Sequence, residues 1–125
     1  MRFFEFIKMH GLGNDFVIID NRQNLVKIKN KETLKKIGSR NFGIGCDQIL
    51  IIESHDNKNA EVTIFNNDGS EAGACGNGVR CVASYLMDKQ KTTEMRIKTI
   101  SGSLDCWVEN KNFFVTWENH VLIGL

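Results

Sequence analysis

A cysteine stands at the head of a helical pattern in this chain, flanked by small and amide residues. The stretch runs F-N-N-D-G-S-E-A-G-A-C-G-N-G-V-R-C-V-A-S-Y-L-M, with Cys75 near its middle. From Val79 onward apolar residues recur at 79, 82, 83, 86 and 87, one face of a 3.6-residue period. The helix should therefore begin at Cys75. Glycines at 76 and 78 are expected to leave the first-turn N–H groups bare, with no Cβ to keep a ligand away. Those N–H groups and the helix dipole favour negative charge, which suits both a bound carboxylate and a cysteine thiolate. The residues allow two readings of Cys75, a packed helix-cap residue or a base beside an anion pocket.

Other polar side chains that could serve such a pocket lie on glycine-punctuated turns. Asn14 follows Gly11-Leu12-Gly13, between a strand-like alternation from Phe4 and the β-branched run Phe16-Val17-Ile18-Ile19-Asp20. Its plain alternative is a hairpin connection. Gln48 closes the loop Arg40-Asn41-Phe42-Gly43-Ile44-Gly45-Cys46-Asp47, ahead of the strand Ile49–Glu53. Asn66 follows the alternating strand Ala60–Phe65 and precedes the turn Asn67-Asp68-Gly69-Ser70. Side-chain amides both donate and accept without charge, which fits them to hold an amino acid's ammonium and carboxylate.

The remaining elements frame these residues. Asn30 to Ser39 reads as a helix capped by Asn30, with Leu34 and Ile37 as its apolar stripe. The lysines at 27, 29, 31, 35 and 36 read as a solvated face. Past the central helix, strands are expected at 95–100, 104–109 and 113–117, with a hairpin tip at Asn110-Lys111-Asn112. The expectation is α+β, with six or seven strands, mostly antiparallel, in a curved sheet wrapped around a central helix.

Composition excludes several classes. The chain has 125 residues, 42% hydrophobic and 25% charged, as an ordinary single globular domain does. A net charge of +1 gives no electrostatic reason to expect nucleic acid or an anionic membrane as partner. No apolar run reaches the ~18 residues of a membrane span. A glutamate and a lysine interrupt the opening residues where a signal peptide is apolar, so a cytoplasmic location is expected, with Cys46, Cys75, Cys81 and Cys106 as thiols. Metal binding is not expected, because Cys75…Cys81 lacks zinc-site spacing and His10, His55 and His120 are scattered. There is no P-loop, and G-L-G-N-D-F lacks the third glycine of a dinucleotide loop.

Four motifs then converge. K-M-H-G-L-G-N-D-F at 8–16, G-I-G-C-D-Q at 43–48, F-N-N-D-G-S-E at 65–71 and A-C-G-N-G-V-R-C at 74–81 together resemble the diaminopimelate epimerase family, in order and separation. The resemblance runs to about Trp117. It implies a cofactor-independent enzyme interconverting LL- and meso-diaminopimelate, on the route to lysine and peptidoglycan, with two cysteines on opposite faces of the α-carbon. By position, Cys75 matches the first catalytic cysteine. Gly76 and Asn77 match donors to the reacting carboxylate, and Asn14, Gln48 and Asn66 match substrate-binding loop residues. Phe16, Asp68 and Glu71 are given packing or turn roles, and Cys81 a structural one.

Family members are about twice as long and two-lobed, with the partner cysteine in the second lobe. The resemblance therefore implies an N-terminal lobe over 1–117, the start of a crossover over 118–125, and little activity by this chain alone. The apolar run Val121–Leu125 suggests a cover, either a complementary C-terminal half or a second copy in a homodimer. A proline racemase-type isomerase, a non-catalytic binding or structural module, and a thiol hydrolase are the competing readings.

Overall fold

The computed structural model describes residues 5–11, 13–21, 28–73, 76–117 and 122–124, with backbone alone at 117 and 122–124. Cys75, Phe4, Lys27, His120 and the stretch 118–121 lie outside the described residues. Among the described residues eight strands and two helices follow one another: β1 (Ile7–Gly11), β2 (Asn14–Asp20), α1 (Lys31–Gly38), β3 (Gln48–His55), β4 (Asn59–Asn66), α2 (Gly76–Gln90), β5 (Glu94–Thr99), β6 (Gly102–Glu109), β7 (Asn112–Trp117) and β8 (Leu122–Gly124). All eight strands form one sheet in chain order. The expected six or seven become eight because residues 122–124, not expected as a strand, supply β8, antiparallel to β7.

The sheet is mixed but mainly antiparallel. Its two parallel pairs, β2/β3 and β4/β5, are those whose connections contain a helix. Parallel neighbours need a crossover long enough to return the chain, and α1 and α2 provide it.

Alternation decides which helix each strand residue meets. Phe16, Ile18, Leu50, Ile52, Val62 and Ile64 are buried in the cluster that holds Val79, Val82, Ala83, Leu86 and Met87 of α2. The odd-numbered Val17, Ile19, Ile49 and Ile51 are buried on the other face with Leu34 and Ile37 of α1. Covering both faces is what makes β2 and β3 unbroken apolar runs. The wrapping of the central helix continues through Ile97, Leu104, Cys106 and Val115 of β5–β7. Each large apolar side chain of α2 sunk in this way contributes about 1.5–3 kcal/mol before entropy is subtracted.

α1 begins as expected. Asn30 Oδ1 accepts from the backbone N–H of Glu32 at 2.9 Å and of Thr33 at 3.2 Å. In the β6–β7 hairpin, Asn110 and Lys111 both take positive φ, 51° and 66°, the twist that a two-residue hairpin turn requires.

Candidate functional site

Register brings the amide residues to one end and one face of the sheet. β2 and β3 are parallel, so both start at the same end, and β4, antiparallel to β3, finishes there. Phe16 pairs with Gln48, and Gln48 with Asn66, in a row across three strands. All share the parity of Phe16, Leu50 and Ile64, whose side chains meet α2. Asn14, two residues outward from Phe16, shares it too. These residues are strand-terminal, not loop residues as expected: Asn14 opens β2, Gln48 opens β3 and Asn66 closes β4.

The first turn of α2 lies over the same corner. A Cβ on Gly78 would sit 2.8 Å from Leu50 Cδ2 and 3.4 Å from Phe16 Cε1. Gly78 therefore lets the helix close against the sheet: the missing Cβ, expected to make room for a ligand, makes room for Leu50 and Phe16. At Gly76, by contrast, a Cβ would meet nothing within 4 Å. The Asn77 amide Nδ2 donates to Asn14 Oδ1 at 3.4 Å, joining helix start to strand start. Gln48 Nε2 donates to Asn66 Oδ1 at 3.2 Å, and Asn66 Nδ2 donates to Ser70 Oγ at 3.1 Å. The structure thus joins Asn14 with Asn77 and Gln48 with Asn66.

Beneath the amides lies a charged cluster to which the sequence reading assigned no role. The Arg40 guanidinium grips Asp15 with two hydrogen bonds of 2.8 and 2.9 Å and reaches Asp47 Oδ1 at 3.2 Å. Lys8 stands 3.0 Å from Asp15 and also donates to the Gly45 carbonyl. Two cations and two carboxylates leave the cluster neutral. Arg40 above all, with help from Lys8 and Asp47, holds the Asp15 carboxyl well below the usual carboxylate range. The available signal was an acidic residue in each of two motifs, N-D-F and D-Q, with Arg40 at the loop's head.

The described cysteines are enclosed. Cys46, Cys81 and Cys106 are in no disulfide and are buried. Burial pushes the Cys46 thiol up to about 11 and the Cys106 thiol up to about 12, so neither supplies a thiolate near neutral pH. A Cβ on Gly11 would lie 3.4 Å from Cys81 Sγ, so that sulfur packs against β1. Asp68 Oδ1 accepts from Ser70 N and Oγ, a turn contact, and Phe16 is wholly buried. Among the described residues no three metal-ligating side chains cluster, and no described helix is long and apolar enough to cross a membrane.

The comparisons agree with this geometry. Residues 6–118 match the family model described as diaminopimelate epimerase. The diaminopimelate epimerase of Teredinibacter turnerae is 47% identical over 111 residues, which cover 86% of this chain and 40% of that protein. That of Ectopseudomonas mendocina is 44% identical over 109 residues, covering 84% and 39%. The chain spans about two fifths of the length of these curated relatives. Among solved structures, methylitaconate-delta-isomerase superposes with a TM-score of 0.63 at 14% identity, over 86% of this chain and 35% of that one. The Bacillus anthracis phenazine biosynthesis protein of the PhzF family gives a TM-score of 0.57 at 19% identity, over 90% and 38%. At such identities the likeness is one of fold. Motifs, fold and relatives concur: the chain belongs to the diaminopimelate epimerase family.

Proposed function

We propose that this chain is the lobe of a diaminopimelate epimerase that binds the reacting amino-acid centre and carries one of its two proton-transfer groups. In this reading the Cys75 thiolate takes the α-proton, and the electron pair left on carbon is drawn toward the adjacent carboxylate. The α2 N-terminus, through the N–H of Gly76 and the amide of Asn77, stabilises the charge that grows on that carboxylate. Asn14, Gln48 and Asn66 hold the substrate's polar groups on the near side. The proton returned to the opposite face comes from a second thiol, carried by a second lobe. The chemistry is general acid–base catalysis, without cofactor or metal, in lysine and peptidoglycan precursor synthesis.

The observation that carries this reading is the Asn77–Asn14 contact at the start of α2, on the sheet face that also holds Gln48 and Asn66. Family membership supplies the substrate. In this reading, residues 1–117 form the lobe, and 118–125 lead toward its partner.

Incubation in D₂O tests it. The chain supplied with a second lobe bearing the partner cysteine should exchange the α-hydrogen of diaminopimelate but not that of proline, and the chain alone should exchange little. Preference for proline would assign a different isomerase. Ordinary alkylation of Cys75, with ligand binding unchanged in Cys75→Ala, would assign a non-catalytic module.

A further inference from the structure

Asp47 stands between Cys46 and the first residue of β3, and its two carboxylate oxygens are used differently. Oδ2 accepts the backbone N–H of Asp15 at 2.9 Å and the Asn14 side-chain Nδ2 at 3.3 Å. Oδ1 accepts from Arg40 at 3.2 Å. The Asp47 N–H is fixed in turn, donating to Asp15 Oδ1 at 2.9 Å. An ionised carboxylate accepts and cannot donate. Asn14 must therefore present its NH₂ to Asp47 and its carbonyl oxygen outward, where Asn77 Nδ2 meets it at 3.4 Å. A flipped Asn14 would set one carbonyl against a carboxylate and two amide donors against each other.

We infer that Asp47 is a positioning residue for the site at the α2 N-terminus: anchored by Arg40 and the Asp15 N–H, it fixes which way round the Asn14 amide faces and, through Asn14, that of Asn77. This rests on the proposed function in one respect, that these two amides hold the amino-acid ligand. The relay runs one way, from carboxylate to strand to helix. Because Lys8 and Arg40 balance Asp15 and Asp47, the acceptor at its root adds no net charge beside a pocket meant for a carboxylate.

Asp47→Asn is the discriminating change, since asparagine keeps the shape but can donate as readily as accept. Two readouts on the 125-residue chain separate positioning from bulk stability. In ¹H–¹⁵N spectra without ligand, the side-chain amide signals of both Asn14 and Asn77 should shift in Asp47→Asn, although residue 47 does not hydrogen-bond Asn77. Asp47→Glu should return them part of the way. The diaminopimelate concentration that halves Cys75 alkylation should rise roughly tenfold, the scale of a lost charge-assisted hydrogen bond. Arg40→Gln, which loosens the anchor but keeps the carboxylate, should move both readouts less and in the same direction; it carries the test if Asp47→Asn does not fold. Unmoved Asn77 signals in a folded variant, or an unchanged half-protecting concentration, would overturn the inference. Absence of any diaminopimelate protection in the unsubstituted chain contradicts the proposed function instead, and the amide spectra then decide the role of Asp47 alone.

Discussion

The two helices of this chain begin in opposite ways. At the start of α1 the Asn30 side chain folds back onto two backbone N–H groups, and Glu32 sits in the first turn to meet the dipole. The first turn of α2 holds no acidic residue and opens with a glycine at which an added Cβ would meet nothing within 4 Å. Its polar neighbour, Asn14, comes from a strand 63 residues away in sequence. One helix start is satisfied locally and serves only the fold. The other is assembled from distant segments, with room left beside Gly76. Under the proposed function, that contrast fits α2 as the end that receives the substrate's carboxylate.

Substitutions at the two starts should separate these roles. The largest effect is expected at Gly78, where the helix touches the sheet. Gly78→Val forces a branched side chain against the fully buried Leu50 and should cost about 3 kcal/mol in chemical denaturation. Next comes Asp15→Asn, which breaks the bidentate Arg40 pair supporting Asn14. Arg40 is half exposed and can regain water, so the expected loss near pH 7 is about 2 kcal/mol. This loss carries a pH signature. Because the folded Asp15 pKa lies below the ordinary 3.8, the pair's contribution is complete above that value and disappears as pH falls through the folded value. Denaturation curves taken below pH 4 should therefore decline more steeply for the unsubstituted chain than for Asp15→Asn. Asn30→Ala removes the α1 cap and should cost about 1 kcal/mol, with no change in Cys75 reactivity. Gly76→Ala should change stability least, within about 0.5 kcal/mol, since nothing stands where its methyl would go.

The contrast also explains what the sequence makes legible. Period 3.6 from Val79 to Met87 and period 2 along β4 follow from local geometry, and the structure buries those residues. The Asn30 cap is equally local, because donor and acceptor lie within three residues. The six residues carried over by resemblance fall less evenly. Asn14, Gln48, Asn66, Gly76 and Asn77 gather at one corner, but only register across three strands reveals that, and Cys75 itself lies outside the described residues. Gly76 and Gly78 look alike in sequence, yet one faces open space and the other the core, a difference set by where α2 crosses Leu50. The Asp15–Arg40–Asp47 cluster was legible only as separate motif and loop residues, not as a cluster, for the same reason. Asp15 is 25 residues from Arg40 and 32 from Asp47, and charges with partners that distant read as solvated surface.

The claim under all of this is that the Cys75 sulfur feels the field of the α2 N-terminus. The direct measurement is the rate of Cys75 alkylation by iodoacetamide as a function of pH, followed by peptide mass spectrometry so that the buried Cys46, Cys81 and Cys106 are counted separately. The account predicts a titration midpoint below the roughly 8.5 of a free cysteine, with the other three thiols unmodified on the same timescale. A midpoint at or above that value, or a Cys75 as unreactive as its buried counterparts, would contradict it.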